Sequence, residues 1–307
     1  MNDPQLDDLL TRAIVRLHSE MRQAAPVMAE SVWHWMQQLA ASDRPEDYFQ
    51  KPIAFPLLQL LWWLEKTLHP NPTFAFQADL VYSTVNGYYY IRLLDNLMDG
   101  HATVELKLLP AAGFFHTQFQ MAYQRYFEHG HPFWDFFART WFYSAEATLH
   151  DAQLERVDEA QFRKVASQKV CAAKIPLAAV CYHSEREDLI EPWSSFLDAL
   201  GGWHQMWNDV FDWNKDLKYH TRTYFLTEAE QRKRPEEGVA AWVVREGFEW
   251  GVSVLQTWME ELKARAKPLN SPDLLVYLDQ REAMLARQRE EVAVGLRHLS
   301  KLAEVMA

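Results

Sequence analysis

Apolar positions recur along this chain at intervals of three and four residues. Leu9, Leu10, Ile14, Leu17 and Met21 share one face of a helix over 6–23, and the pattern resumes from about Val27 to Leu39. Pro52 and Pro56 precede a strongly apolar run, Leu57 to Leu68. His69-Pro70-Asn71-Pro72 ends that run, because proline removes backbone donors and restricts the residue before it. The periodicity then predicts helices from about Phe76 to Met98, with Gly100 as a stop, and over 103–129 and 132–150. Residues 158–182 read as one helix with Pro176 inside it. The Ala172 carbonyl loses its donor there, so a kink is expected near Lys174. Helices from about Glu191 to Lys215, at 234–266 and at 271–305 complete the pattern. With few glycines, no internal repeat and no break in composition, the pattern predicts an all-α fold, a single helical domain over 1–307.

Two acidic clusters interrupt the apolar pattern. Asp95 and Asp99 stand at i and i+4 after Tyr88-Tyr89-Tyr90-Ile91. Asn208, Asp212 and Asp216 stand at i, i+4 and i+8 after Trp203 and Trp207. Four residues turn a helix by about 400°, so each set forms a row of side chains offering oxygen. Oxygen ligands suit a hard cation such as Mg2+. Two acidic helix faces can meet across a bundle and clamp one metal cluster. Either cluster alone also reads as a solvated helix end.

These residues carry a resemblance. Asp95-Asn96-x-x-Asp99 resembles the aspartate-rich DDxxD motif of class I isoprenoid synthases, with Asn in the second position. Asn208-Asp209-x-x-Asp212-x-x-Lys215-Asp216 resembles the second metal motif of that superfamily, with Asp212 where terpene cyclases usually carry Ser or Thr. His204-Gln205-Met206 before it is similar to the Phe-Gln that precedes the second aspartate motif of trans-prenyltransferases. The likeness covers about Phe74 to Phe225; the flanking parts match in helical character only. It implies a helical bundle with a central apolar cavity, a prenyl diphosphate substrate, and about three Mg2+ ions as cofactor. Asp95, Asn96, Asp99, Asn208, Asp209, Asp212 and Asp216 would be the metal ligands.

The same resemblance assigns the basic residues. A proline-kinked helix with cations nearby is similar to the broken helix that senses diphosphate in terpene cyclases. Lys174, Arg163 and Lys169 are its candidates here, although Ile175 stands where prenyltransferases carry the Thr of a Lys-Thr motif. Lys215, Lys218 and Arg222 follow the second motif and are candidates for the same anion. Ile91 and Tyr88 lie one and two turns above Asp95, and His204, Gln205, Trp207 and Phe211 surround the second motif; these are candidate pocket residues. Prenyltransferases build a second diphosphate site from a Gly-Lys-Arg segment and an Arg-Arg-Gly. Here Lys51-Pro52 and His101-Ala102-Thr103 stand in their places. That asymmetry favours a terpene cyclase acting on one substrate, with chain elongation and a catalytically inactive helical scaffold as alternatives.

Composition narrows the field. A formal charge of −11 disfavours nucleic acid as a partner, since a phosphate backbone needs a basic face. It also requires cations or a local basic patch for any diphosphate. Most of the 13 Trp and 17 Phe must simply fill a core. Cys171 and Cys181 show no zinc spacing and suit a reducing compartment. The acidic N-terminus has no signal-peptide core, and the run from Ile53 to Leu64 is shorter than the roughly 20 residues needed to span a bilayer. A cytoplasmic protein without an integral membrane segment is expected, as a possible homodimer. His129-Gly130-His131-Pro132 reads as a loop, having no third ligand at a diagnostic spacing. A di-iron bundle needs Glu-x-x-His on two helices, and Glu146 and His150 are four apart.

Overall fold

Local chemistry starts the first helix: Pro4 stands at its first position, and the Asp3 side chain accepts from the Gln5 amide at 3.0 Å. The computed structural model describes residues 3–51, 54–69, 73–98, 105–153 and 157–306. These are 86% helical and contain no strand. In chain order the helices are α1 (Pro4–Ala24), α2 (Pro26–Ala40), α3 (Leu57–Leu68), α4 (Phe74–Met98), α5 (Leu109–Met121), α6 (Pro132–Gln153) and α7 (Glu159–Val170). Then follow α8 (Lys174–His183), α9 (Ile190–Phe211), α10 (Trp213–Lys218), α11 (Tyr224–Arg232), α12 (Val239–Trp242), α13 (Phe248–Ala266) and α14 (Pro272–Met306). Among the described residues no helix is long and apolar enough to cross a membrane.

Four stretches depart from simple periodicity. The helix expected over 158–182 divides into α7 and α8, joined by a tight 3-10 turn at Cys171–Ala173. The turn lies where Pro176 withholds the amide that the Ala172 carbonyl would need. The element expected over 103–129 is α5 flanked by 3-10 turns. Helix α11 was not expected; Thr223 caps it, its hydroxyl accepting from the Leu226 amide at 3.2 Å. The helix expected from 234 begins at Val239 and passes through a π-turn, Val243–Gly247. That wider turn seats the Trp242 ring against Gly247, where a Cβ would meet ring carbon at 2.3 Å.

Cα proximity groups the chain into two compact units, Met1–Thr140 with Ala172–Ile190, and Trp141–Cys171 with Glu191–Ala307. In the first, α4 is central and packs on α1 and α5. From Phe76 to Tyr89 it is buried nearly all round, so it carries polar core residues as well as apolar ones, Asp79 and Asn86 among them. Asp79 is held by Arg16 (2.7 Å), Arg125 (2.9 Å) and the Tyr126 hydroxyl (2.9 Å), which satisfies its buried charge. The second unit is built on buried tryptophans. Trp193, Trp203, Trp207 and Trp242 are fully enclosed, and the Trp203 indole donates to the Leu255 carbonyl at 3.0 Å. Gly251 of α13 lies against Val210 of α9 and Phe225 of α11, side chains that its missing Cβ admits.

Candidate functional site

The second acidic cluster belongs to a break in the chain. Helix α9 ends at Phe211, Asp212 leaves helical geometry at φ −101 and ψ 8, and α10 begins at Trp213. Aspartate promotes such an exit, because its short side chain competes with the helical backbone. The single straight helix expected from Glu191 to Lys215 is therefore two helices. The row survives nonetheless: the Asp212 amide donates to the Asn208 carbonyl (2.8 Å) and the Asp216 amide to the Asp212 carbonyl (3.1 Å). The i→i+4 ladder runs through the bend, so Asn208, Asp212 and Asp216 line one cavity.

The cavity lies wholly within the second unit and measures about 150 Å³. Its apolar wall is Val157, Phe162, Val165 and Ala166; its polar lining is Lys169, Gln205, Asn208, Asp209, Asp212, Asp216, Thr221, Arg222, Thr223 and Tyr224. The loop after α10 closes one side. His220 takes a left-handed φ of 56, and the Thr221 amide donates back to the Asp216 carbonyl at 2.9 Å. Thr223 then opens α11, placing Tyr224 against Phe162 with ring centres 5.4 Å apart. Pockets for drug-sized ligands measure roughly 300–1,000 Å³, so this smaller space suits a charged head group with its ions rather than a long hydrocarbon.

Asp209 is the electrostatic anomaly of the site. It is 2% exposed; one carboxylate oxygen accepts from the Gln205 amide at 2.9 Å, and the other is buried without a hydrogen bond. Burial pushes its carboxyl up to about 7, with Asp216 adding to the rise and Gln205 and Lys169 opposing it. Asp216 is raised too, by burial first and then by Asp212. Crowded carboxylates with raised pKa values mark functional sites. They are also what a cation would relieve.

The donor set fits a hard cation. Its donors are a carboxamide and carboxylates, all oxygen. Among the described residues no group of three His, Cys, Asp or Glu stands ready to enclose a metal ion. Magnesium usually binds through one or two carboxylates, water and substrate phosphate rather than a complete protein cage, so this arrangement agrees with it.

The other sequence candidates are placed elsewhere. Asp95 lies on α4 of the first unit, 3.2 Å from Arg92. Asn96 and Ile91 are half-buried on the same helix, while Asp99, Gly100 and His101-Ala102-Thr103 lie outside the described residues. Tyr88 packs against Tyr48 and Phe49, its hydroxyl donating to that of Tyr48. Lys174 opens α8 in the first unit. Arg163 is held by Glu261 at 3.0 Å and lies 3.9 Å over the Trp258 ring, so its position on α7 serves packing. Lys215 and Lys218 are exposed and do not line the cavity. Trp207 is core, between Trp203 (5.1 Å) and Phe211 (4.8 Å), and Phe211 continues to Phe248. His204 is half-buried on α9 and is not a lining residue.

Sequence reasoning missed Thr221, Thr223, Tyr224 and the apolar wall. A capping threonine ahead of Tyr224-Phe225-Leu226 was the available signal for the first three.

The fold these helices define is the all-α prenyl synthase fold. A polyprenyl synthase (ISP_B) from Roseobacter denitrificans matches over 89% of this chain and 99% of its own, at 15% identity and a TM-score of 0.62. T. brucei FPPS, solved with a bound compound, matches over 89% and 98%, at 12% identity and a TM-score of 0.61. No family model matches the chain, and no curated protein matches it in sequence.

Proposed function

We propose that this chain ionises a prenyl diphosphate and releases diphosphate, acting on one allylic substrate as terpene cyclases do. The observation that carries the reading is the cavity in which Asn208, Asp212 and Asp216 form a row beside Lys169 and Arg222. Asn208, Asp212 and Asp216 would hold Mg2+, which when bound neutralises the developing charge of a leaving diphosphate. Lys169 and Arg222 add fixed positive charge at the same cavity. Asp209, buried behind the row, shapes it through Gln205. Phe162, Val165 and Ala166 keep one wall apolar, which limits water near a reactive cation.

Chain elongation is the second reading, favoured by the polyprenyl synthase and FPPS among the structural neighbours. It needs a second diphosphate site. The basic residues near the expected place are engaged otherwise: Lys51 donates to the Leu39 carbonyl at 3.0 Å and lies over the Tyr48 ring, and Arg44 pairs with Glu46 at 3.0 Å. That supports the one-substrate reading. The test is incubation with geranyl, farnesyl and geranylgeranyl diphosphates and Mg2+, with and without isopentenyl diphosphate. Diphosphate release from one allylic diphosphate alone is the expected result. A lengthened linear product strictly dependent on isopentenyl diphosphate would establish elongation, and no release under any condition would leave a scaffold.

A further inference from the structure

Gly201 and Gly202 stand side by side in the middle of α9, where glycine weakens a helix. Their surroundings differ. A Cβ on Gly202 would meet nothing within 4 Å. A Cβ on Gly201 would stand 2.6 Å and 3.1 Å from the two γ-carbons of Val170 and 3.3 Å from the Ala166 carbonyl oxygen. Val170 is β-branched and stiff at χ1, and the Ala166 oxygen is backbone, so neither yields by a side-chain swing. α7 itself would have to move. Val170 is the last residue of α7, next to Lys169, and both Lys169 and Ala166 line the cavity whose opposite row begins at Asn208, about two turns further along α9.

We infer that Gly201 is a positioning residue: its missing Cβ sets the spacing between α7 and α9 and so the reach of Lys169 toward the Asn208–Asp216 row. The inference rests on the reading of that cavity as the diphosphate site. Misplacement of a binding group by a fraction of an ångström is costly when several contacts must converge on one charged ligand. Gly201 touches no ligand in this scheme; it acts through Val170 and Lys169.

The experiment is calorimetric binding of inorganic pyrophosphate in the presence of Mg2+, with thermal melting of each variant in parallel. G201A is expected to lose roughly tenfold in pyrophosphate affinity, and G201A/V170A to recover most of it, because the second change removes the atoms the new methyl strikes. G202A should bind as the unaltered protein. G247A, which creates a still closer clash, 2.3 Å against the Trp242 ring in the same unit, should lower the melting temperature without changing affinity. If G201A does not fold, V170I crowds the same contact more gently and should give an intermediate loss. Unchanged affinity in G201A, or in V170I where G201A does not fold, overturns the inference. So does failure of V170A to rescue, or a loss in G247A that matches G201A. Absence of pyrophosphate binding by the unaltered protein would sink the functional reading itself, and this inference with it.

Discussion

The two acidic clusters share a spacing and little else. In the first unit, Asp95 sits near the end of a continuous helix and is answered by Arg92, three residues back on the same helix. In the second unit, Asn208, Asp212 and Asp216 pass through a helix break into a cavity, backed by a buried Asp209 whose carboxyl is pushed up to about 7. An i, i+4 row fixes only that side chains lie on one side of a helix. Whether they repel, pair or bind is set by what packs against them. At Asp95 the neighbouring Arg92 supplies opposite charge. In the second unit, the fold gathers acids together with Lys169 and Arg222 around one cavity.

The largest expected effect tests that contrast directly. Asp212→Ala, Asn208→Ala or Asp216→Ala should each lower Mg2+-dependent diphosphate release on the order of 100-fold, the scale of losing one electrostatic contact to a developing charge. Thermal stability should hold or rise in the Asp212 and Asp216 variants, because removing one of two crowded carboxylates relieves repulsion. Asp95→Ala tests the role that the resemblance implies for the first cluster, where the expected loss is smaller; a loss there with none at Asp212 would invert the comparison.

Next comes a buried carboxyl of the first unit. Glu65 in the first unit is 2% exposed, and burial raises its carboxyl from 4.5 to about 7, opposed by the neighbouring Gln77. The folded state thus holds a proton that the unfolded state releases, so stability falls as pH rises between 4.5 and about 7. The cost above that window is at most about 3 kcal/mol. Glu65→Gln should flatten this part of the melting-temperature profile, and added Mg2+ should leave it unchanged. Relief of the Glu65 component by Mg2+ would show that a raised carboxyl alone does not distinguish the two regions.

Two basic residues of α7 provide the smaller effects. Lys169→Ala should weaken Mg2+-dependent pyrophosphate binding by about tenfold, the loss of one charge-assisted contact. Arg163→Ala should leave binding unaltered and cost about 1 kcal/mol or less in a denaturant melt, since its partners Glu261 and Trp258 lie away from the cavity lining. Equal binding losses in both would mean that α7 acts through its overall charge.

Much of this architecture is written in local sequence. Helix α3 runs from Leu57 to Leu68 as its apolar run and flanking prolines predict, and the Pro176 break arises from a missing amide at a known distance along the chain. The acid row at 208, 212 and 216 was legible because a helix converts spacing into a shared side. Periodicity could not foresee the bend at Asp212, since pattern records which side chains face a core and not where a backbone leaves its helix. Nor could it separate Arg163 from Lys169 on one helix: only the packing of Trp258 and Glu261 draws Arg163 away. Trp207 reads from sequence as a pocket aromatic and is core, because Trp203 and Phe211 close on it. The sequence by itself determined helices, their punctuation and the oxygen-bearing row. The tertiary structure alone decided burial, and with it the raised carboxyl of Asp209, the cavity and the contact at Gly201, because desolvation and close approach depend on residues distant in the chain.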